Sequence, residues 1–503
     1  MTQHQGKTDH VVVVGAGLAG LAAALHLAGR GRAVTVVERA EHPGGRMGRM
    51  DVGGYRIDTG PTVLTMPDII EVTLDAVGAS LSDRLELIEV DPAYCASFAD
   101  GSQMHVYRDR DAMADEVARV AGSSEAQGYL RLRDWLTELY RVEFDGFIAA
   151  NFDSPLSLLT PQLARLAAIG GFRRWDRVMR RFISDERLLR VFTFQALYAG
   201  VPPQRALAVY AVIAYMDAVA GVYFPRGGMR AVPDALAGAA ADAGVEFRYG
   251  AAVSGLQQAG GRVSGVLTDD GERIGCDAVV LTTELPDTYR LLDRRPRRLL
   301  PLRPAPSAVV AHLSCRATPD AAHHTILFGE AWEQTFRDII DDGRVMADPS
   351  LLVTRPTAGD PSLAPPGRDL LYVLAPAPNL SRGNVDWDRT GRDYLQSMLD
   401  VVTRRLPQLG QELEVLHVVD PAGWARQGMF AGTPFALAHT FAQTGPFRPA
   451  NEVRGIDNVA LAGSSTVPGV GVPTALLSGR LAADRITGAT GRRTRIDSVK
   501  SAP

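Results

Sequence analysis

Gly15-Ala16-Gly17-Leu18-Ala19-Gly20 has the residue types and the spacing, GxGxxG, that bring a main chain up against a phosphate. The first glycine permits a tight turn, the second lets a pyrophosphate approach the backbone, and the third lets a helix pack closely on a sheet. The elements that must hold this loop are legible on both sides of it. Residues 11–14 are a β-branched run suited to a parallel strand buried on both faces, and Leu21, Leu25 and Ala28 recur at helical spacing beyond the glycines. The helix therefore begins where the anion sits, and its free N–H groups and dipole complete the phosphate site. Gly29 and Gly31 end that helix, and residues 33–37 form a second strand leading to Glu38. Glu38 lies 18 residues past Gly20, where a carboxylate accepts hydrogen bonds from ribose hydroxyls and repels a 2′-phosphate. The pattern is a dinucleotide site that disfavours NADP, with Gly15, Ala16, Gly17, Ala19, Gly20 and Glu38 as its binding residues.

The residues after Glu38 narrow the dinucleotide. Arg39, Gly44-Gly45-Arg46, Tyr55, Asp58, Thr59, Gly60 and Pro61 complete the pattern ERxxxxGGRxxxxxxxxYxxDxGP. It resembles the N-terminal signature of the glutathione-reductase-like flavoproteins, in their amine oxidase and carotenoid desaturase branch. That resemblance implies FAD as cofactor. It sets Arg39 and Gly45 beside the cofactor, takes Arg46 to the pyrophosphate, passes Gly60-Pro61-Thr62 beside the flavin ring and brings the backbone of Val253 to the adenine. Farther on, a strand over 458–462 leads into the loop GSSTVPGVGVP and a helix over about 474–486. Strand, glycine-rich loop and helix N-terminus again make an anion-stabilising device. By the same resemblance Gly463, Gly471, Val472 and Pro473 reach the pyrimidine edge of the flavin, where the dipole favours negative charge by up to about 2 kcal/mol. This loop lacks GxGxxG and has no ribose acid after it, so the chain reads as holding one dinucleotide. Electrons then enter from the substrate and leave to an external acceptor, oxygen or a quinone.

Composition bounds the rest. At 503 residues the chain is too long for one simple core. Its 46% hydrophobic and 22% charged residues are those of a globular protein, and a net charge of −4 gives no case for nucleic acid as partner. Lys7 and Lys500 are its lysines, so no internal lysine can form a Schiff base or a Walker loop. Cys95, Cys276 and Cys315 make no CxxC pair, the ten histidines show no paired-ligand spacing, and no metal site is expected. Residues 11–28 are apolar, but their glycines mark a strand and turn rather than an export signal or a membrane span. The expected fold is α/β. A Rossmann-like FAD-binding domain of glutathione-reductase/amine-oxidase type, discontinuous over 8–95, 223–299 and 441–490, carries a mixed helical and β-sheet substrate domain over 96–222 and 300–440. A polar tail covers 491–503. Apolar runs at 308–313, 325–328, 350–353 and 370–374 read as strands of a substrate-side sheet.

The middle of the chain sharpens the resemblance. FTFQALYAGV at 192–201, GVYFPRGGM at 221–229, Phe447-Arg448-Pro449-Ala450-Asn451 and GSSTVPGVGVP occur in this order. The set resembles the bacterial-type phytoene desaturases of carotenoid biosynthesis, actinobacterial members in particular, over nearly the whole chain. The resemblance implies an FAD-dependent oxidoreductase acting on CH–CH groups, which takes phytoene through sequential double bonds, to lycopene. Such a substrate is a bilayer-resident hydrocarbon and needs an apolar tunnel rather than charged clamps. Trp175, Val178, Met179 and Phe182 recur at helical spacing among Arg173, Arg174, Arg177, Arg180 and Arg181, and read as a basic amphipathic helix, either a domain helix with its apolar face in the core and its arginines solvated or, with a lipid-soluble substrate, one for an anionic membrane surface. A cytoplasmic protein held peripherally at the cytoplasmic membrane follows. A flavin amine oxidase and a carotenoid isomerase or saturase are the competing readings. His439, Asp58 and Arg448 fall in segments expected near the flavin, and none of them is assigned as catalytic base.

Overall fold

The computed structural model describes residues 7–151, 159–295, 301–317, 321–410 and 412–489, and the expected tail at 491–503 lies outside them. Five short strands form a parallel sheet in the order Val459–Leu461, Ala278–Leu281, His10–Val14, Ala33–Val37, Glu246–Arg248. The valine run sits at its centre. Val11 and Val13 join the core formed with the helices Leu18–Ala28 and Val472–Thr487, while Val12 and Val14 join a second core with Val263 and Val266. The period of two along a strand sends alternate valines to opposite faces, and both faces are covered. The second cover is an antiparallel hairpin, Val253–Ala259 with Arg262–Thr268, joined by Arg273–Gly275.

The two helices meet through small residues. A Cβ placed on Gly479 would stand 2.2 Å from the Ala19 carbonyl oxygen and 2.8 Å from the Ala23 nitrogen, so backbone touches backbone there. This contact holds the two helix N-termini at a fixed separation on one side of the sheet.

A seven-stranded sheet forms the other half, in the order Glu414–Val419, Ser307–Arg316, Arg368–Ala377, Leu351–Thr354, His324–Leu327, Tyr94–Ser97, Gln103–Val106. All its pairings are antiparallel except that of His324–Leu327 with Tyr94–Ser97. The four apolar runs expected to be strands are all here. Helix Trp387–Arg405 packs on one face of this sheet through Tyr394, Met398 and Val402. The expected boundaries fall inside strands: residues 95/96 lie within Tyr94–Ser97, and 222/223 within Val222–Pro225, which pairs with Leu87–Val90.

The expected basic amphipathic helix is corrected. Helix spans Trp175–Met179 alone, five residues, and Phe182 lies beyond it in a turn. Trp175, Val178 and Met179 are buried in the core. The Trp175 and Asp176 amides donate to the carbonyls of Ala206 and Pro203, which ties this turn down and leaves the arginines on the outside. The apolar spacing was core packing, and the arginine surface survives without the helix.

Candidate active site

A cavity of about 1520 Å³ lies between the two halves. That exceeds the roughly 300–1,000 Å³ of a usual ligand pocket, so it has room for a dinucleotide and a second molecule. Most residues expected to bind the dinucleotide converge on its wall: Gly15, Gly17, Ala19, Glu38, Arg39, Gly45, Arg46, Gly60, Pro61, Thr62, Val253, Gly463, Gly471, Val472 and Pro473. Ala16 and Gly20 do not line it and stand behind the wall. Ala16 is fully buried, and its amide donates to Glu38 Oε2 at 2.7 Å. Gly20 faces the strand: a Cβ there would stand 1.9 Å from the Gly15 carbonyl oxygen. Its role is the close helix–sheet approach, without contact to a ligand.

Gly17 is different. It caps the helix Leu18–Ala28 with ordinary backbone angles, φ −73 and ψ 174, and the nearest atom to a Cβ there is 3.9 Å away. The protein itself leaves room for a side chain at Gly17, and that room is on the cavity side. A cradle of this shape suits a pyrophosphate. Gly45, at φ +55, brings its backbone against Gly17 from the opposite wall. Glu38 is buried, and its second oxygen accepts from the Ala40 amide at 2.9 Å. It therefore ties the glycine loop to the end of its strand as well as facing the cavity. Arg46 forms an ion pair with Glu284, a partner that sequence spacing gave no means of finding. Arg46 Nε and Glu284 Oε2 are nevertheless buried without hydrogen-bond partners, which suits a polar ligand at this end. Arg39 donates to the Gln427 carbonyl at 2.9 Å and so crosses to the other half.

The C-terminal device is built from within. Gly471, at φ +133, caps the helix Val472–Thr487, whose N-terminus opens on the cavity. Arg448 is buried and donates to the carbonyls of Thr466 at 2.9 Å and Ser464 at 2.6 Å, so it shapes this loop. Asp58 is off the cavity. It accepts from the Met229 and Arg230 amides at 2.8 and 3.1 Å at the start of helix Ala231–Asp242, and burial raises its pKa to about 6. His439 does line the cavity, 3.2 Å from the Tyr210 hydroxyl, and burial with Arg448 nearby holds it neutral.

Away from the dinucleotide end the wall turns apolar, with Phe147, Ile148, Leu166, Val212, Ile213 and Met216. Two carboxyl groups interrupt it, Asp217 and Glu143, both buried. Sequence reasoning missed both, since each is a lone acid in a helical segment with no motif around it. Near the mouth, Phe172, Phe441 and Phe447 are 45%, 66% and 44% exposed. Arg173, Arg174, Arg177 and Arg181 share a shallow surface recess with Phe172 and Phe441. Among the described residues no group of His, Cys, Asp or Glu could hold a metal ion, and no helix is long and apolar enough to cross a membrane.

A dinucleotide cradle on a parallel sheet, facing a second sheet across a large cavity, defines an α/β oxidoreductase that binds FAD. The family model described as flavin containing amine oxidoreductase matches residues 18–487, and the chain belongs to that family. A solved wild-type putrescine oxidase bound to putrescine shares the fold, with a TM-score of 0.63 at 17% identity over 96% of this chain and 99% of the other. Within the family the chain belongs with the bacterial phytoene desaturases. It is 61% identical to a phytoene dehydrogenase of Streptomyces griseus over 96% of each chain. It is 38% identical to a zeta-carotene-forming phytoene desaturase of Myxococcus xanthus, over 96% of this chain and 94% of that one.

Proposed function

We propose that the enzyme desaturates phytoene by repeated insertion of double bonds, forming lycopene, at the surface of the cytoplasmic membrane. The observation that carries this reading is the cavity: one end suits a dinucleotide, and the remainder is an apolar channel opening between exposed phenylalanines. FAD bound at the first end supplies the two-electron acceptor for the C–H bond that is broken. Gly15, Gly17, Gly45 and Arg46 would hold its pyrophosphate, Glu38 its ribose, and Val253 its adenine. Residues 60–62 and the helix N-terminus at Gly471 would border the flavin. The channel walls fix which carbon pair lies against the flavin, and orientation of this kind can supply about 7–11 kcal/mol of a barrier. An apolar channel lets a hydrocarbon slide to present successive bonds, which supports a multi-step product. With one dinucleotide fold in the chain, oxygen or a quinone is the proposed electron sink. The test is reduction of the bound flavin by phytoene, with chromatography of the carotenoid formed.

The mouth supports the membrane part of the reading. Exposed aromatics flanked by arginines suit the boundary of an anionic bilayer, where each basic residue contributes on the order of 1 kcal/mol. Replacing Arg173, Arg177 and Arg181 by Gln is expected to weaken co-sedimentation with anionic liposomes at least tenfold and to leave FAD content unchanged. Unaltered sedimentation would count against this face as the docking surface.

A further inference from the structure

Desaturation removes a hydride and a proton from neighbouring carbons, and an apolar channel offers few places for the proton. Asp217 lies in the π-helical turn Met216–Ala220, which follows Val212–Tyr215, and lines the cavity with 4% of its surface exposed. Its Oδ2 is buried and, among the described residues, no hydrogen bond closes on it at ordinary distance and angle, although the side chains of Gln195 and Tyr94 lie within reach of the carboxyl. The Tyr94 hydroxyl and Gln195 Oε1 are likewise buried without a closed hydrogen bond. Both residues lie beside Asp217 and favour its charged form. A buried carboxyl oxygen left without a closed hydrogen bond at a cavity wall is uncommon in a folded protein and marks a candidate functional site. The cluster also connects, through His324, to the segment that would border the flavin. The Tyr94 ring packs against that of His324 at 5.5 Å between centroids, and His324 Nε2 lies 3.1 Å from the Thr62 carbonyl oxygen. Thr62 belongs to the segment 60–62 that borders the proposed flavin position.

We propose that Asp217 accepts the proton lost from the substrate in each desaturation. This rests on the desaturase reading above. With FAD held as proposed, the electron pair of one C–H bond would leave with its hydrogen to the cofactor. The adjacent C–H bond breaks with its proton going to Asp217 Oδ2 and its electron pair becoming the new π bond. The carboxylate thereby becomes a neutral acid, which an apolar wall tolerates better than the charge it replaces.

The surrounding ionisable groups leave this role to Asp217. Burial raises its pKa to about 7, where a base is matched to neutral pH. Glu143 closes the helix Ser123–Glu143, whose Tyr140 stacks on Tyr215 at 4.4 Å, and burial pushes its carboxyl well above the usual carboxylate range. Tyr94, Tyr198 and Tyr223 are all pushed upward by burial and stay neutral. His324 is lowered to about 4 and is also neutral. Arg108, packed on Gly221 at the end of the π-helical turn, pairs with Glu89 at 2.8 Å.

The experiment uses the FAD-loaded enzyme and phytoene in liposomes, without oxygen, and follows flavin absorbance. Asp217→Asn is expected to slow bleaching at least about 100-fold, the low end for a general base, with FAD content unchanged. Infrared difference spectra should show a carboxyl group titrating near neutral pH in the wild type and missing in D217N. Asp217→Glu should recover part of the rate. Tyr94→Phe keeps the base but removes a group favouring its charged form, so the acidic limb of the rate profile should move to higher pH. Bleaching of D217N at the wild-type rate, or an unmoved limb in Tyr94→Phe should D217N fail to hold FAD, overturns the assignment. If phytoene does not bleach the wild type, the substrate reading itself falls.

Discussion

Gly20→Ala is expected to abolish FAD binding although residue 20 does not line the cavity. Its Cβ would stand 1.9 Å from the Gly15 carbonyl oxygen and 3.4 Å from Val13 Cγ1. The Val13 contact is tolerable, but the Gly15 carbonyl cannot yield without moving the helix Leu18–Ala28 off the strand His10–Val14. Overpacking of this kind costs about 1–3 kcal/mol in ordinary cores, and more where backbone meets backbone. The displaced helix takes its N–H groups away from the phosphate. Gly17→Ala is the control in the opposite sense. The protein has space for that methyl group, so the apo unfolding midpoint should stay within about 0.5 kcal/mol of wild type. The methyl group instead fills the cradle, and FAD affinity should fall at least tenfold. Flavin content after purification and apo-protein unfolding separate the two cases. Gly20→Ala retaining wild-type FAD affinity would refute the helix–strand argument.

Glu38→Gln is the second large effect, and it is not a conservative change. Both carboxylate oxygens accept main-chain amides, from Ala16 and from Ala40. A glutamine must turn its NH₂ toward one of those donors and lose that bond. A hydrogen bond to a charged group contributes roughly 1.5–3 kcal/mol, so apo stability should fall by about that much. The acceptor offered to a ribose is weakened at the same time. We expect FAD affinity to drop about 100-fold, equivalent to roughly 2.8 kcal/mol, with the loss visible in equilibrium titration of apo protein. Lost affinity with unchanged apo stability would show that the ties to Ala16 and Ala40 are unimportant.

These effects show where sequence was informative. The valine run, the three glycines and Glu38 are legible because strand burial, turn geometry and ribose recognition each demand particular residue types at short range. The strands of the second sheet are legible for the same reason, as β-branched runs between turn residues. The seven-residue spacing from Trp175 to Phe182 misled, because periodicity cannot say that a helix stops after Met179 when the chain is pinned to Ala206 and Pro203. Arg46 with Glu284, and Asp217 with Tyr94, are separated by long stretches of chain and meet only once the chain is folded. A lone acid in an apolar run carries no local signal, so Asp217 and Glu143 emerged from burial alone.

The central claim is that an apolar polyene precursor reduces the flavin in this cavity. Its most direct test is anaerobic titration of the purified FAD enzyme with phytoene in anionic liposomes, followed by chromatography of the extracted carotenoids. The expected result is loss of the oxidised-flavin absorbance and products of extended conjugation, ending in lycopene. Bleaching by putrescine, with none by phytoene and no conjugated product, would contradict it.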